Sequence, residues 1–177
     1  MKRFIPVLAL AVFSVGMLSL FAHGAVQAER LSPAQEKRIT TNCVAIKTSL
    51  NQLHASDALL RVNRGQVYES LASRFMDTFN GRLAGNRLDN RGMTTITANY
   101  RTALQTFRTD YIQYEQKLAD AIRTDCVSQP ARFAEVTEQA RVLRSRVHDD
   151  ITKLHRLIDD YRSSVKGFLY NYERISQ

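Results

Sequence analysis

Apolar residues recur every three or four positions along almost the whole chain after residue 31. This spacing matches the period of an amphipathic α-helix, and no stretch shows the alternation of two that marks a strand. Only three prolines interrupt 177 residues, which also disfavours a turn-rich β-fold. The pattern predicts an all-α fold, an elongated antiparallel three-helix bundle or coiled coil in residues 29–177.

The first predicted helix covers residues 32–79. Ser32 can cap it, Pro33 suits its first position, and Gln35 can complete a capping box. An apolar stripe with heptad-like spacing then continues in phase across Gly65, so we expect one uninterrupted helix. The members of the stripe are Ile39, Cys43, Ile46, Leu50, Leu53, Asp57, Leu60, Arg64, Val67, Leu71, Phe75 and Phe79.

Two further helices are predicted, near residues 93–126 and 131–176. The interval 80–92 contains three glycines and is expected to be a loop or a bent connection. Each of these two helices has a seam, an apolar stripe along the face that packs against its neighbours. The seam of the second helix contains Met93, Ile96, Tyr100, Leu104, Phe107, Tyr111, Tyr114, Leu118 and Ile122. The seam of the third contains Phe133, Val136, Ala140, Leu143, Val147, Ile151, Leu154, Ile158, Tyr161, Val165, Phe168, Tyr172 and Ile175.

The two cysteines test how the helices are arranged. A short turn at 127–130 makes the second and third helices antiparallel neighbours. If the first two helices also form a hairpin, Cys43 and Cys126 lie about 55 and 51 Å from the connection, at nearly one level. A Cys43–Cys126 disulfide is therefore expected, and two buried free thiols are the alternative.

Residues 1–28 resemble an export signal. Lys2 and Arg3 precede an uncharged apolar run at residues 4–22, and small residues near 26–28 suit a signal peptidase. The apolar run is also close to the length that spans a bilayer, so an uncleaved anchor is the alternative. The expected location is secreted or in the extracytoplasmic bacterial envelope, with membrane contact only through residues 4–22.

The charge balance is basic, at +8 for the chain and, without Lys2 and Arg3, 23 − 17 = +6 for the remainder. Arginine dominates the positive residues, which favours contacts with flat anionic groups. The expected partners are a protein or an anionic envelope polymer. Nucleic acid is not expected, because the arginines are scattered and the chain is predicted to be exported. Association between copies through the helical seams stays open.

A candidate binding surface lies where the third helix passes the glycine-rich interval. Phe168 and the residues after it are expected to project past the hairpin or to be covered by residues 80–92. Aromatic residues beside arginines are frequent in recognition surfaces, whereas a simple structural cap is the alternative. The members of this surface are Arg74, Arg82, Arg87, Arg91, Phe168, Tyr170 and Tyr172.

Two polar residues, Asp57 and Arg64, interrupt the seam of the first helix. They are expected to fix the register of packing, with a local pair between Asp57 and Arg61, and an anion site in mid-bundle is the alternative. Metal ligation is not expected, because His148 and His155 are about 10.5 Å apart along the helix axis. We expect no cofactor, no catalytic residue and no enzymatic activity.

Parts of the first helix are similar to small secreted helical proteins of candidate-phylum bacteria. The similarity covers residues 42–47 (Asn-Cys-Val-Ala-Ile-Lys), 50–54 (Leu-Asn-Gln-Leu-His) and 57–69 (Asp-Ala-Leu-Leu-Arg-Val-Asn-Arg-Gly-Gln-Val-Tyr-Glu). Residues 31–35 (Leu-Ser-Pro-Ala-Gln) resemble the Leu-Thr-x-x-Gln motif of the periplasmic helical chaperones Spy and CpxP, with serine in place of threonine. The first resemblance implies a secreted bacterial protein. The second implies a periplasmic helical chaperone.

These features together predict a non-enzymatic exported envelope protein that acts as a binding, adaptor or spacer module. The alternative is an ATP-independent extracytoplasmic holdase chaperone, which would use the basic and aromatic surface to hold unfolded clients.

Overall fold

The structure is a computed structural model and describes residues 31–175. The predicted export segment at residues 1–28, including the anchor alternative at 4–22, lies outside the described residues. Within them the fold is all-helical, without strands, and the helices pack together. They are α1 (Pro33–Thr41), α2 (Cys43–Ser70), a π-helical segment (Leu71–Met76), α3 (Asp77–Gly85), α4 (Arg91–Arg123) and α5 (Pro130–Ile175).

The predicted capping box forms at the start of α1. The Gln35 backbone N–H donates to the Ser32 hydroxyl at 3.3 Å, and the Ser32 N–H donates to the Gln35 side-chain oxygen at 2.7 Å. The uninterrupted helix predicted for 32–79 needs a correction, however. Asn42 leaves helical geometry with ψ of 12° and separates α1 from α2.

The π-helical segment, residues 71–76, corrects the predicted stripe. The Asp77 N–H donates to the Ala72 carbonyl, five residues earlier, so the helix is locally underwound. Val67 and Phe75, both predicted in the seam, are 56% and 57% exposed. Tyr68, Ala72 and Met76 are buried instead. Their spacing of four exceeds the 3.6 residues of an α-helical turn, and a wider π turn keeps them on one face.

Tyrosine hydroxyls donate to backbone carbonyls just before this segment and at its end. Tyr100 donates to the Tyr68 carbonyl at 3.1 Å, and Tyr161 donates to the Met76 carbonyl at 3.2 Å and to the Asn80 side-chain oxygen at 3.0 Å. Burial raises the pKa of Tyr161 to about 12, which keeps it a neutral donor. These bonds connect the end of α2 to α4, and the π-helical segment and α3 to α5.

The glycine-rich interval is mostly helical, which corrects the loop predicted for 80–92. The connection is only residues 86–90, since α3 continues to Gly85 and α4 begins at Arg91. Arg87, with φ of 58°, makes the reversal. Its N–H donates to the Ala84 carbonyl at 3.0 Å, and the Leu88 N–H donates to the Leu83 carbonyl at 2.9 Å. This is a Schellman ending in which arginine occupies the left-handed position that glycine usually fills.

The core lies mainly between α4 and α5, which form the most extensive helix pair. The predicted seams of both helices face this core up to Phe168, whereas Tyr172 is exposed and the side chain of Ile175 lies outside the described residues. In contrast, no Cα atom of α2 lies within 8 Å of a Cα atom of α5. The buried core residues of α4 and α5 include Tyr100, Leu104, Phe107, Tyr111, Tyr114, Leu118, Ala140, Val147, Leu154 and Tyr161.

The predicted disulfide joins Cys43 to Cys126, with their Cα atoms 5.7 Å apart. It ties the start of α2 to the residues just after α4 and packs with Phe133 in a small cluster of its own. Because the bonded residues are 83 positions apart, closing this loop stabilises the fold by about 4–5 kcal/mol in unfolded-chain entropy.

Replacing Arg87 with glycine should raise the free energy of unfolding by about 0.5–1 kcal/mol, because glycine adopts positive φ without the clash of a Cβ atom. Urea denaturation measures the change. Arg87→Ala is the matched control, since it removes the same charge but keeps the Cβ atom. Equal stability of the glycine and alanine variants would contradict a strained left-handed residue at this turn.

Candidate functional site

A groove of about 700 Å³ opens between α2 and α5, with α4 as its floor. It exists because α2 packs on α4 without closing against α5. Phe107 and Tyr111 of α4, with Val147 and Ile151 of α5, provide apolar and aromatic surface at the base. The polar lining residues are Asp57, Arg61, Arg64, Arg141, Arg144 and His148.

Asp57 of α2 is hydrogen-bonded to both of the other helices that line the groove, α4 and α5. Its carboxylate accepts a hydrogen bond from the Tyr114 hydroxyl of α4 at 2.8 Å and one from Arg144 Nε of α5 at 2.8 Å. A second bond from Arg144 Nη2, at 3.3 Å, completes a forked contact. Only 12% of the Asp57 side chain is exposed. The carboxylate therefore bridges α2 to α5, two helices with no Cα atoms within 8 Å of each other.

The charges of this bridge are well defined. Burial raises the pKa of Asp57, but the hydrogen bonds from Arg144 and Tyr114 and the charge of Arg144 lower it more, so it lies below the ordinary 3.8. The bond to Asp57 raises the pKa of Arg144 against the opposing effect of burial. Burial and the adjacent Asp57 carboxylate raise the pKa of Tyr114. At neutral pH the bridge thus consists of a carboxylate, a guanidinium and a neutral phenol.

The local pair predicted between Asp57 and Arg61 does not form. The Arg61 guanidinium lies over the Tyr111 ring, 5.1 Å from its centroid. This cation–π contact leaves Asp57 to the donors of the other two helices, which approach it from across the groove.

Arg64 is exposed at the groove edge and does not occupy the core position predicted for it. The reason is that α2 stands away from α5. The Arg64 guanidinium instead lies close to the Tyr68 hydroxyl, where burial raises the pKa of the phenol and the guanidinium lowers it by a smaller amount. Neither Arg61 nor Arg64 pairs with a carboxylate in residues 31–175, whereas Arg141 binds Glu138 at 2.7 Å. The lining residues carry four arginines and one aspartate, a formal charge of 4 − 1 = +3 with His148 neutral.

The second candidate, the arginine and aromatic end of the chain, is only partly brought together. Phe168 is half-buried, with its ring centroid 6.3 Å from that of Phe79 and 5.9 Å from that of Tyr172. Leu169, Tyr170 and Tyr172 are 46%, 67% and 50% exposed. The four arginines predicted here are all exposed, namely Arg74, Arg82, Arg87 and Arg91.

The projection predicted from Phe168 onward is shorter than expected. Helix α2, the π-helical segment and α3 together form a first helical path that runs beside α5. Where residues of this path contact α5, their sequence numbers differ by 87, as in the pairs Asp57–Arg144 and Tyr68–His155. Because α3 continues to Gly85, the same offset places its end beside residue 172. Arg91 is also engaged locally, through its bond to Asp89 at 2.9 Å, and Arg87 shapes the turn.

Sequence reasoning missed most of the groove: Arg61, Tyr111, Tyr114, Arg141, Arg144 and His148 were not singled out as site residues. One signal was present. The seam of α4 contains three tyrosines, and a buried phenol needs an acceptor, which an aspartate in a neighbouring seam can supply.

No protein-family model matches this chain, and no curated protein and no solved structure is significantly similar to it. None of the helices between residues 31 and 175 has both the length and the apolar character required to cross a membrane. In the same part of the chain, His, Cys, Asp and Glu side chains form no group of three or more that could hold a metal ion.

The bond between Asp57 and Arg144 predicts that substitutions at the two residues affect stability non-additively. In a double-mutant cycle of Asp57→Asn and Arg144→Leu, we expect a coupling free energy of about 1–2 kcal/mol at neutral pH, as for a charge-assisted bond with one half-exposed partner. Urea denaturation of the four proteins measures it. A coupling indistinguishable from zero would show that the bridge contributes nothing to folding.

The same pair predicts a pH dependence. Because folding lowers the pKa of Asp57, its contribution is complete above the unfolded value, near 4, and is lost as the pH falls through the lower folded pKa. Wild-type protein should therefore lose more unfolding free energy between about pH 5 and pH 2 than Asp57→Asn does. Parallel losses in the two proteins would contradict the lowered pKa.

Proposed function

We propose that this chain is a non-enzymatic, exported cell-envelope protein that serves as a binding or adaptor module built on an elongated antiparallel three-helix bundle. The Cys43–Cys126 disulfide supports this, because such bonds persist in oxidising compartments outside the cytoplasm. The predicted export segment at residues 1–28 points the same way. A candidate-phylum secreted protein, as the sequence resemblance implies, fits this location.

The observation that carries the proposal is the exposed aromatic end of α5. Leu169, Tyr170 and Tyr172 are all exposed on the last turns of the helix. Leu169 and Tyr172 share the side next to the packed ring of Phe168, whereas Tyr170 lies on nearly the opposite side of the helix. Tyrosine supplies large contact area with little loss of conformational entropy on binding, which makes it a frequent anchor in protein interfaces.

The geometry also suits a spacer. The 46 residues of α5 extend about 69 Å. The disulfide and α1 lie at one end of this length, and the exposed tyrosines of α5 lie at the other. In the proposal the N-terminal side faces the membrane or the export machinery, and the aromatic end of α5 meets a partner at a distance.

The partner we propose is a protein or an anionic envelope polymer. A net charge of 23 − 17 = +6 after residue 28, with arginine predominant, favours anionic surfaces. Exposed Arg74 and Arg82 lie on the helical path that runs beside the end of α5.

A holdase chaperone is the second candidate, favoured by exposed apolar side chains on one helical path. They are Val44, Leu59, Leu60, Val62, Val67 and Phe75. The exposed Arg61, Arg64 and Arg74 lie among the last five of them, as in a surface that contacts unfolded clients weakly and at many points.

Two variants distinguish an aromatic binding site from a general surface effect. The double change Tyr170→Ala and Tyr172→Ala should weaken capture of envelope fractions by about tenfold or more, since two anchors contribute about 1 kcal/mol each. Val44→Ala and Val127→Ala, exposed at the other end, are the matched control. Binding is quantified on immobilised residues 29–177, and an equal loss in both proteins would contradict the proposed site.

The chaperone alternative makes a different prediction. A holdase should suppress aggregation of heat-treated citrate synthase at low salt and should lose this effect as ionic strength rises, because charge contacts are screened. Absence of suppression at low salt, together with retained envelope binding, would leave the adaptor as the remaining candidate.

A further inference from the structure

We infer that the groove between α2 and α5 binds a small organic anion with an apolar body, such as an alkyl carboxylate or an alkyl phosphate. This site is separate from the aromatic end of α5, and the inference does not depend on the adaptor proposal. Three features of the groove point to this ligand class: its size, its layered chemistry and its unneutralised arginines.

The groove has the dimensions of a small-molecule site. Its volume of about 700 Å³ falls within the range of natural ligand pockets. It is also held open by the fold, because the disulfide fixes one end of α2 and the π-helical segment packs the other end onto α4 and α5. A ligand can therefore enter without separating helices.

The chemistry is layered from base to rim. Phe107, Val147 and Ile151 line the base, and the Tyr111 ring lies beneath Arg61. Leu60 and Val142 are apolar residues on opposite walls, and both are exposed. An apolar body placed between these walls would bury surface that is now in contact with water.

The positive charge of the groove is concentrated where an anionic head group would sit. Asp57 is already satisfied by Arg144 and Tyr114, and Arg141 by Glu138. Arg61 and Arg64 have no carboxylate partner within residues 31–175. Two guanidinium groups at one rim form the forked donors that carboxylates and phosphates prefer.

Other occupants fit less well. A second copy of this chain carries the same net positive charge, which opposes its approach to a basic groove. An uncharged apolar ligand would leave Arg61 and Arg64 without a counter-charge beside it. Charge complementarity therefore selects an anionic amphiphile.

Isothermal titration calorimetry with decanoate and with decyl phosphate tests this inference, and decanol is the uncharged control. Binding of at least one of the two anions should be about tenfold or more tighter than that of decanol. The preferred anion identifies the head group, carboxylate or phosphate. Light scattering in parallel reports whether a second copy fills the groove instead.

Three variants locate the binding site. Arg61→Gln with Arg64→Gln should weaken anion binding by about tenfold or more, whereas Arg74→Gln with Arg82→Gln removes the same charge elsewhere and should leave it unchanged. Ser145→Trp, at an exposed position of the groove wall, should block binding without removing a charge. This last variant keeps the test valid if the first unfolds.

The outcomes separate the possibilities. Loss of binding in both groove variants, with the control pair unaffected, supports the site. Equal binding by wild type and Ser145→Trp, equal affinity for decanol and the anions, or dimer formation in place of ligand binding would overturn it. Failure here leaves the aromatic end untouched, because none of these variants alters Tyr170 or Tyr172.

Discussion

The covalent bond between Cys43 and Cys126 is the constraint on which the rest of the structure depends. It fixes the start of α2 against the end of α4 across 83 residues of chain, at a place where the surrounding apolar cluster is small. The opposite end of the first helical path is held by packing: Tyr68, Ala72 and Met76 are buried against α4 and α5. Arg108 also pairs with Glu69, and Arg101 with Asp77.

Between these two attachments α2 is supported unevenly, and this unevenness produces the groove. The helix packs on α4 but nowhere brings its backbone near that of α5. Asp57 spans the gap through its bonds to Tyr114 and Arg144, and Arg61 rests on Tyr111. The Asp57 carboxylate holds the cavity in shape, and Arg61 and Arg64 beside it have no carboxylate partner within residues 31–175. The same arrangement leaves the apolar residues of α2 in contact with solvent.

Much of this fold could be predicted from the sequence, because long seams with helical spacing determine helix type and because two cysteines in a chain predicted to be exported have one partner each. Which of residues 67–76 face the core could not be predicted. Spacings of four fit an α-helical stripe through Val67 and Phe75 as well as a π-helical one through Tyr68 and Ala72, and only packing chooses between them. The groove could not be predicted for a related reason, because the distance between α2 and α5 depends on tertiary packing. Asp57 could be recognised as an unusual polar residue in the seam, but its partner Arg144 could not be identified.

The most direct test of this account is disulfide mapping of the exported, unreduced protein by mass spectrometry after trypsin digestion. The cysteines fall in the peptides of residues 39–47 and 124–132. The account predicts that these two peptides are recovered as one disulfide-linked species from monomeric protein and separate only after reduction. Recovery of both thiols free, or of links that join two chains, would contradict the hairpin and everything derived from it.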